Sequence, residues 1–166
     1  MLRKKKTVTP EAARLRMADL CARSEQCESD IMEKLLKLGL GRPEASAVVE
    51  ELVAGRFIDN SRYARALARD QVRFSGWGRR KIAAKLMSKR IDAGIIREAL
   101  ADIDREEYME AAMRAGRAKA RSLGLAQYDD RMKLLRHLAV RGFEGGVASE
   151  VVNRLRLEAE EDVEGA

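Results

Sequence analysis

Residues 55–91 read GRFIDNSRYARALARDQVRFSGWGRRKIAAKLMSKRI. Eleven of these residues are Arg or Lys and two are Asp, a net charge of +9, whereas the whole chain carries +6. The residues outside this stretch therefore sum to −3. A basic centre flanked by weakly charged arms is typical of a protein that meets a polyanion.

The stretch contains two segments with helical patterning. Asp59 has the residue type of a helix N-cap, and the helix after it is expected to continue to Phe74. Its apolar residues Tyr63, Leu67 and Phe74 are expected to face the core. A second helix is expected from about Gly78 to Arg90.

Both helices carry basic stripes. Arg and Lys recur at helical spacing on each, and neither stripe has acids one turn away, as a self-paired solvated face would. A solvated face is the usual meaning of a charge run, but the scarcity of acids favours a surface that binds a polyanion or an acidic partner. The candidate binding residues are Arg62, Arg65, Arg69, Arg73, Arg79, Arg80, Lys81, Lys85 and Lys89.

The turn between the two helices contains the only Trp of the chain, in the sequence Gly76-Trp77-Gly78. Trp77 is either a plug between the helices or an exposed ring available for stacking, and the plug is the favoured interpretation. The basic residues that follow are unfavourable for the helix dipole, which an anion or an acidic partner would offset.

The composition of the 166-residue chain favours an all-α protein. Charged residues make up 36% and aromatic residues 4%, there are two prolines, and no run of alternating β-branched residues occurs. No apolar run approaches the ~20 residues of a membrane span, and the first residues lack a signal-peptide hydrophobic region, so we expect a cytoplasmic protein without membrane contact.

Cap and stop signals predict nine helices and no strand. Outside the central stretch, the other helices are expected from Pro10 to Arg23, from a Ser24 cap to about Gly39, from Pro43 to Gly55, after the Asp92 cap to Ile103, after the Asp104 capping box to about Gly124, from Tyr128 to Arg141, and around Val147–Leu155.

These helices contain an internal repeat with a period of 51 or 52 residues. Six apolar columns keep their register across two helices and the turn that joins them. The columns are Ile31/Ile82/Leu134, Leu35/Leu86/Leu138, Leu40/Ile91/Phe143, Ala45/Ile96/Ala148, Val49/Leu100/Val152 and Leu52/Ile103/Leu155. The sequence therefore predicts three tandem three-helix repeats stacked in an elongated array, curved or straight.

The expected organisation has five parts. A basic N-terminal tail covers residues 1–9, the repeats cover 10–58, 59–103 and 104–157, and an acidic tail covers 158–166. The acidic tail is expected to be a solvated end, and the alternative is that it folds back on the basic face and competes with the target.

No catalytic or metal-binding constellation is recognisable. Cys21 and Cys27 have no second pair, and His137 is the only His, so reduced thiols are favoured over a disulfide or a metal site. Neither a phosphate-binding loop nor an acidic metal cluster is present. We expect a protein that is not an enzyme and that needs no cofactor.

The central stretch resembles the RecX family, bacterial regulators of the RecA recombinase. In that family a Gly-aromatic-Gly turn is followed by a basic helix with a Gly-apolar ending, and here Arg90 stands in place of that Gly. The third repeat's Leu138–Phe143 segment is also similar, and the three tandem three-helix repeats are the family's architecture. The residues that carry the resemblance are Phe57-Ile58-Asp59, Arg62-Tyr63-Ala64, Gly76-Trp77-Gly78, Arg80-Lys81-Ile82, Leu86 and Lys89-Arg90-Ile91.

The resemblance implies a non-enzymatic inhibitor, and we expect the protein to be a monomer. Family members bind in the groove of the RecA filament on single-stranded DNA, limit its growth, and depress its ATPase and strand exchange; some bind DNA themselves. Double-stranded DNA is a further candidate partner. The positions carried over from the family are the basic residues of the middle repeat, with Tyr63 and Trp77 keeping its shape. The structural signature consists of Phe57, Asp59, Tyr63, Gly76, Trp77 and Gly78. The alternatives are a self-sufficient helical DNA- or RNA-binding module and a structural adaptor for an acidic protein.

Overall fold

The computed structural model describes residues 8–166, and within them it contains nine α-helices, one π-helical turn and no strand. The π-helical turn, Gln71–Ser75, lies between α4 and α5. The all-α fold is therefore confirmed. The helices are α1 Pro10–Arg23, α2 Glu28–Lys37, α3 Arg42–Ala54, α4 Asn60–Asp70, α5 Arg79–Ser88, α6 Ala93–Ala101, α7 Arg105–Ala120, α8 Tyr128–Val140 and α9 Gly145–Glu164.

Helices α1–α3, α4–α6 and α7–α9 form three successive repeats. Within the described part of the chain, extensive helix packing joins α2 with α3, α4 with α6, and α7 with both α8 and α9, whereas none joins the first repeat to the third. The first repeat has a hydrophobic core of its own, and the second and third repeats share one. The array is therefore a single repeat joined to a fused pair.

The apolar columns of the repeat form these cores. Four of the six columns are buried in all three repeats. In the other two columns the members from the second repeat, Leu100 and Ile103, are only partly buried. Residues of the same column therefore occupy equivalent packing positions in the three repeats.

The turn after the second helix of each repeat has one geometry. The amide N–H of Leu40, Ile91 and Phe143 each donates to the carbonyl five residues earlier, at 3.3, 3.2 and 3.1 Å. The preceding residue is in the left-handed region in all three turns, with φ of 98° at Gly39, 57° at Arg90 and 96° at Gly142. This is the Schellman termination, which favours glycine at the left-handed position.

Replacing Arg90 by Gly is expected to stabilise the chain by about 0.5–1 kcal/mol, because Gly adopts the left-handed conformation without a Cβ penalty. Urea unfolding followed by circular dichroism measures the change. The matched control is Arg97→Gly in the interior of α6, which should lower the stability by about 1 kcal/mol. A less stable Arg90→Gly protein would contradict the strain assigned to this turn.

Three details differ from the sequence prediction. Cys27, not Ser24, precedes α2, and Ser24 instead follows the end of α1. The helix after Asp59 is regular only to Asp70, and the π-helical turn places Phe74 on the surface, so the expectation that Phe74 faces the core was wrong. Helix α9 runs to Glu164 and includes most of the acidic segment.

No helix in residues 8–166 is long and apolar enough to cross a membrane. The basic residues of the predicted tail lie outside the described residues.

Candidate functional site

The basic stripe formed by Arg62, Arg65, Arg69 and Arg73 is paired with acids, most of which lie outside α4. Arg62 contacts Glu25 of the first repeat at 2.6 Å. Two acids beyond α6 pair with the same stripe, since Arg65 meets Asp102 at 2.7 Å and Arg73 meets Glu107 at 2.7 Å. Arg69 lies 3.9 Å from its neighbour Asp70. Glu25, Asp102 and Glu107 are far from their arginines in the sequence, so a search for acids four residues away on the same helix did not reveal them.

Basic residues on α5 and just after it differ in whether they have an acidic partner. Lys89, just after the helix, is bound at 2.8 Å by Asp30 of the first repeat, a contact that raises the pKa of the Lys89 amine. Arg80 and Lys85 are exposed and have no ion-pair partner within residues 8–166. Among the predicted binding residues, the exposed cations that have no acidic partner in residues 8–166 therefore lie on α5.

Lys81 and Trp77 contact each other at the start of α5. The Lys81 amine lies 4.5 Å from the centre of the Trp77 ring, which is partly buried against the core shared by the second and third repeats. Trp77 therefore packs as a plug, in agreement with the favoured interpretation, and one face of its ring holds a cation.

The Gly76-Trp77-Gly78 turn docks on the end of α8. The Gly78 N–H donates to the Arg141 carbonyl at 2.8 Å, and the Arg80 N–H donates to the Gly142 carbonyl at 3.0 Å. A Cβ on Gly78 would lie 2.2 Å from the carbonyl carbon of Gly142. The turn is thus the joint between the second and third repeats, and its second glycine is needed for close backbone approach.

A second connection at this joint is centred on Tyr108 of α7. Its hydroxyl accepts from the Arg79 N–H at 2.9 Å and donates to the Glu144 carboxylate at 2.6 Å. The Arg79 guanidinium lies 3.9 Å from the centre of the Tyr108 ring and 3.5 Å from Glu144. Burial, then the Glu144 contact, raises the pKa of Tyr108. Arg79 is therefore a structural residue of the joint.

The first and second repeats meet through a smaller, more polar joint. The Ser29 hydroxyl donates to the Lys89 carbonyl at 2.6 Å, and the Asn60 side chain accepts from the Glu28 N–H at 3.0 Å. Tyr63 lies beside the buried Cys27, and burial, followed by nearby Cys27 and Asp30, raises the pKa of Tyr63 to about 12. Tyr63 of the second repeat thus lies at this joint, as Tyr108 of the third repeat lies at the other.

A basic groove of about 420 Å³ lies between α2 and α5. Its two acids are already paired, Asp30 with Lys89 and Glu33 with Lys37. The cations of its lining are Arg42, Lys85, Lys89 and Arg90. The free basic surface of α5 therefore continues onto the first repeat.

The sequence reasoning missed a basic patch on the third repeat, formed by Lys119, Lys133, Arg136 and His137 around the exposed Val140. Burial, then Arg141 and Lys119, lowers the pKa of His137. The repeat register was a usable signal, because Lys133 and His137 occupy the positions of Lys81 and Lys85, 52 residues earlier.

The charged side chains of these sites pair with acids and with aromatic rings. Among residues 8–166, no group of three or more His, Cys, Asp or Glu is arranged to hold a metal ion. The charged contacts are salt bridges and cation–π pairs at the two joints, with unpaired cations on α5.

Two family models match this chain. Residues 59–100 match the second three-helix domain of RecX, and residues 106–152 match the third. Both matched segments fall within the observed second and third repeats.

Curated relatives carry the same family name. The chain is 31% identical over 144 residues to the regulatory protein RecX of Mycobacterium avium, covering 86% of this chain and 83% of that protein. It is 29% identical over 134 residues to the RecX protein of Lactobacillus johnsonii, covering 80% of this chain and 49% of that one. The chain thus spans about half the length of this Lactobacillus relative.

Solved structures share the fold. A crystal structure of RecX from Lactobacillus salivarius matches with a TM-score of 0.78 and 19% identity, covering 89% of this chain and 97% of that one. A second crystal structure, of a regulatory protein RecX, matches with a TM-score of 0.76 and 22% identity, covering 87% of this chain and 71% of that one.

Proposed function

Because the chain belongs to the RecX family, we propose that it is a non-enzymatic regulator that binds the RecA filament on single-stranded DNA. In this proposal it limits filament extension and lowers ATPase and strand-exchange activity, acting as a cytoplasmic monomer in recombination, DNA repair and the SOS response. The supporting observation is that Arg80 and Lys85 of α5 are exposed and have no acidic partner among residues 8–166, beside the family's signature turn.

The two joints give this surface a defined shape. Tyr63 and Lys89 connect α4 and α5 to the first repeat, while Arg79 and Gly78 connect α5 to the third. The binding helix is therefore supported from both sides. An extended basic surface that is already ordered loses little conformational freedom when it meets a long polyanionic filament.

Titration of the protein into a RecA–single-stranded DNA ATPase reaction tests the proposal. We expect the ATPase rate to fall as the protein is added, with weaker inhibition at higher salt because cationic contacts are screened. Parallel titration of naked single-stranded DNA separates the alternatives. Binding to naked DNA without any effect on filament ATPase would replace the proposed regulator by an autonomous nucleic-acid-binding module.

A further inference from the structure

Phe74 is the most exposed large hydrophobic side chain in the described part of the protein, at 84%. It directly follows the basic stripe of α4, and the apolar pattern of that helix predicts it inside the core. Burial normally stabilises a Phe side chain, and an exposed Phe lacks this stabilisation. A feature of the backbone must therefore hold Phe74 at the surface.

This backbone feature is the π-helical turn, Gln71–Ser75. The N–H groups of Gly76 and Trp77 both donate to the Gln71 carbonyl, the latter at 3.1 Å. Gly76 then takes a left-handed conformation, with φ of 61°. The wider turn changes the direction of the side chains after Val72, which itself remains buried. Such turns occur frequently at functional sites.

Two arginines from the third repeat fix this backbone. The Arg141 guanidinium donates to the carbonyls of Ser75 and Gly76, the latter at 3.1 Å. The Arg114 guanidinium donates to the Arg73 carbonyl at 3.4 Å. The ring of Phe74 is therefore presented from an anchored segment, which lowers the entropy that a partner must overcome on binding.

The surroundings of the ring are cationic. Arg73, Arg114 and Arg141 all lie at this turn, and within residues 8–166 only Arg73 has an acidic partner, Glu107. An apolar pocket of a protein would complement the ring alone. A single-stranded nucleic acid complements both features, since its bases stack on aromatic rings and its phosphates bind guanidinium groups.

We propose that Phe74 is a base-stacking residue that gives the protein a direct contact with single-stranded nucleic acid. Arg114 and Arg141 supply the positive charge for the adjacent phosphates. This inference deepens the proposed function, on which it rests for the choice of DNA as the strand, and it assigns to the chain a contact that requires no recombinase.

The test is the affinity for a fluorescently labelled oligothymidylate, measured by anisotropy without recombinase. Phe74→Ala should weaken binding about 5- to 150-fold, the equivalent of one stacked base. Phe74→Trp should bind as tightly as the wild type or more tightly, because indole retains the stacking face. Phe74→Leu should bind as weakly as Phe74→Ala, although Leu keeps the apolar bulk.

Two comparisons isolate stacking from general effects. Leu15→Ala on α1 removes another exposed apolar side chain, 61% exposed, and should leave the affinity unchanged. Phe74→Ala should also leave the salt slope of binding unchanged, whereas Arg114→Gln should reduce it by about 0.7. Duplex affinity should be insensitive to residue 74, because duplex bases are already stacked.

Wild-type affinity in Phe74→Ala, or equal rescue by Leu and Trp, would overturn the stacking assignment. Loss of filament inhibition in Phe74→Ala with unchanged oligothymidylate binding would also overturn it, in favour of a protein contact, and would leave the proposed regulator standing. Conversely, the oligothymidylate affinities could be as expected while the protein fails to inhibit the filament. That result would contradict the proposed function and leave the stacking assignment standing.

Discussion

Gly78→Ala is expected to destabilise the folded chain by about 3 kcal/mol or more. The added Cβ would lie 2.2 Å from the carbonyl carbon of Gly142 and 2.3 Å from the amide nitrogen of Phe143. Both are backbone atoms, so no side-chain rotation relieves the overlap. Overpacking typically costs 1–3 kcal/mol, and a clash between two backbones belongs at or above the top of that range.

The two hydrogen bonds from Gly78 and Arg80 to the end of α8 oppose any shift that would make room. Since the second and third repeats share one core, separating them would also expose part of it. Chemical unfolding measures the effect, and Gly146→Ala on α9 is the matched control, because a Cβ there has no atom within 4 Å. Equal unfolding midpoints for Gly78→Ala and the wild type would contradict the joint described.

The repeat architecture was predictable because it depends on local periodicity. Each apolar column, such as Ile31, Ile82 and Leu134, lies on the inner face of an amphipathic helix, and helix packing requires that face to be buried. The caps Asp59 and Asp104 were recognisable for the same reason, and both accept the expected N–H, from Arg62 and Glu107 at 2.9 Å.

The ion pairs of the basic stripes were not predictable from the same rules. Arg62 and Arg73 meet acids 37 and 34 residues away, which come close only after the repeats have stacked. Local spacing correctly excluded i+4 partners but carries no information about the neighbouring repeat. As a result, four residues of the predicted binding set, together with Lys89, have acidic partners that lie outside α4 and α5.

Tyr108 was missed although the sequence contains a signal for it. Asp104 and Tyr108 repeat the spacing of Asp59 and Tyr63, so a tyrosine four residues after the cap occurs in both repeats. In each case the ring lies against the start of the preceding repeat's second helix.

The position of Phe74 could not be predicted from the apolar pattern of α4. A π-helical turn leaves this pattern in the sequence unchanged but alters the direction in which the side chains point.

Reversing the charges of Arg80 and Lys85, the two exposed cations of α5, is expected to abolish inhibition while preserving the fold. Arg80→Glu/Lys85→Glu alters exposed side chains only and leaves the buried Ile82 and Leu86 unchanged. If each cation forms one charged hydrogen bond worth about 1.5 kcal/mol, losing both raises the concentration for half inhibition more than about a hundredfold.

The matched control reverses two other exposed charges, Arg16→Glu on α1 and Arg97→Glu on α6, so that the net charge changes equally. This control should inhibit the filament nearly as well as the wild type. If Arg80 and Lys85 bind phosphates, the salt slope for naked single-stranded DNA should fall by about 0.7 per contact. If they bind acidic residues of the recombinase, DNA binding persists and filament binding is lost. Wild-type inhibition by the α5 variant would exclude this helix as the contact surface.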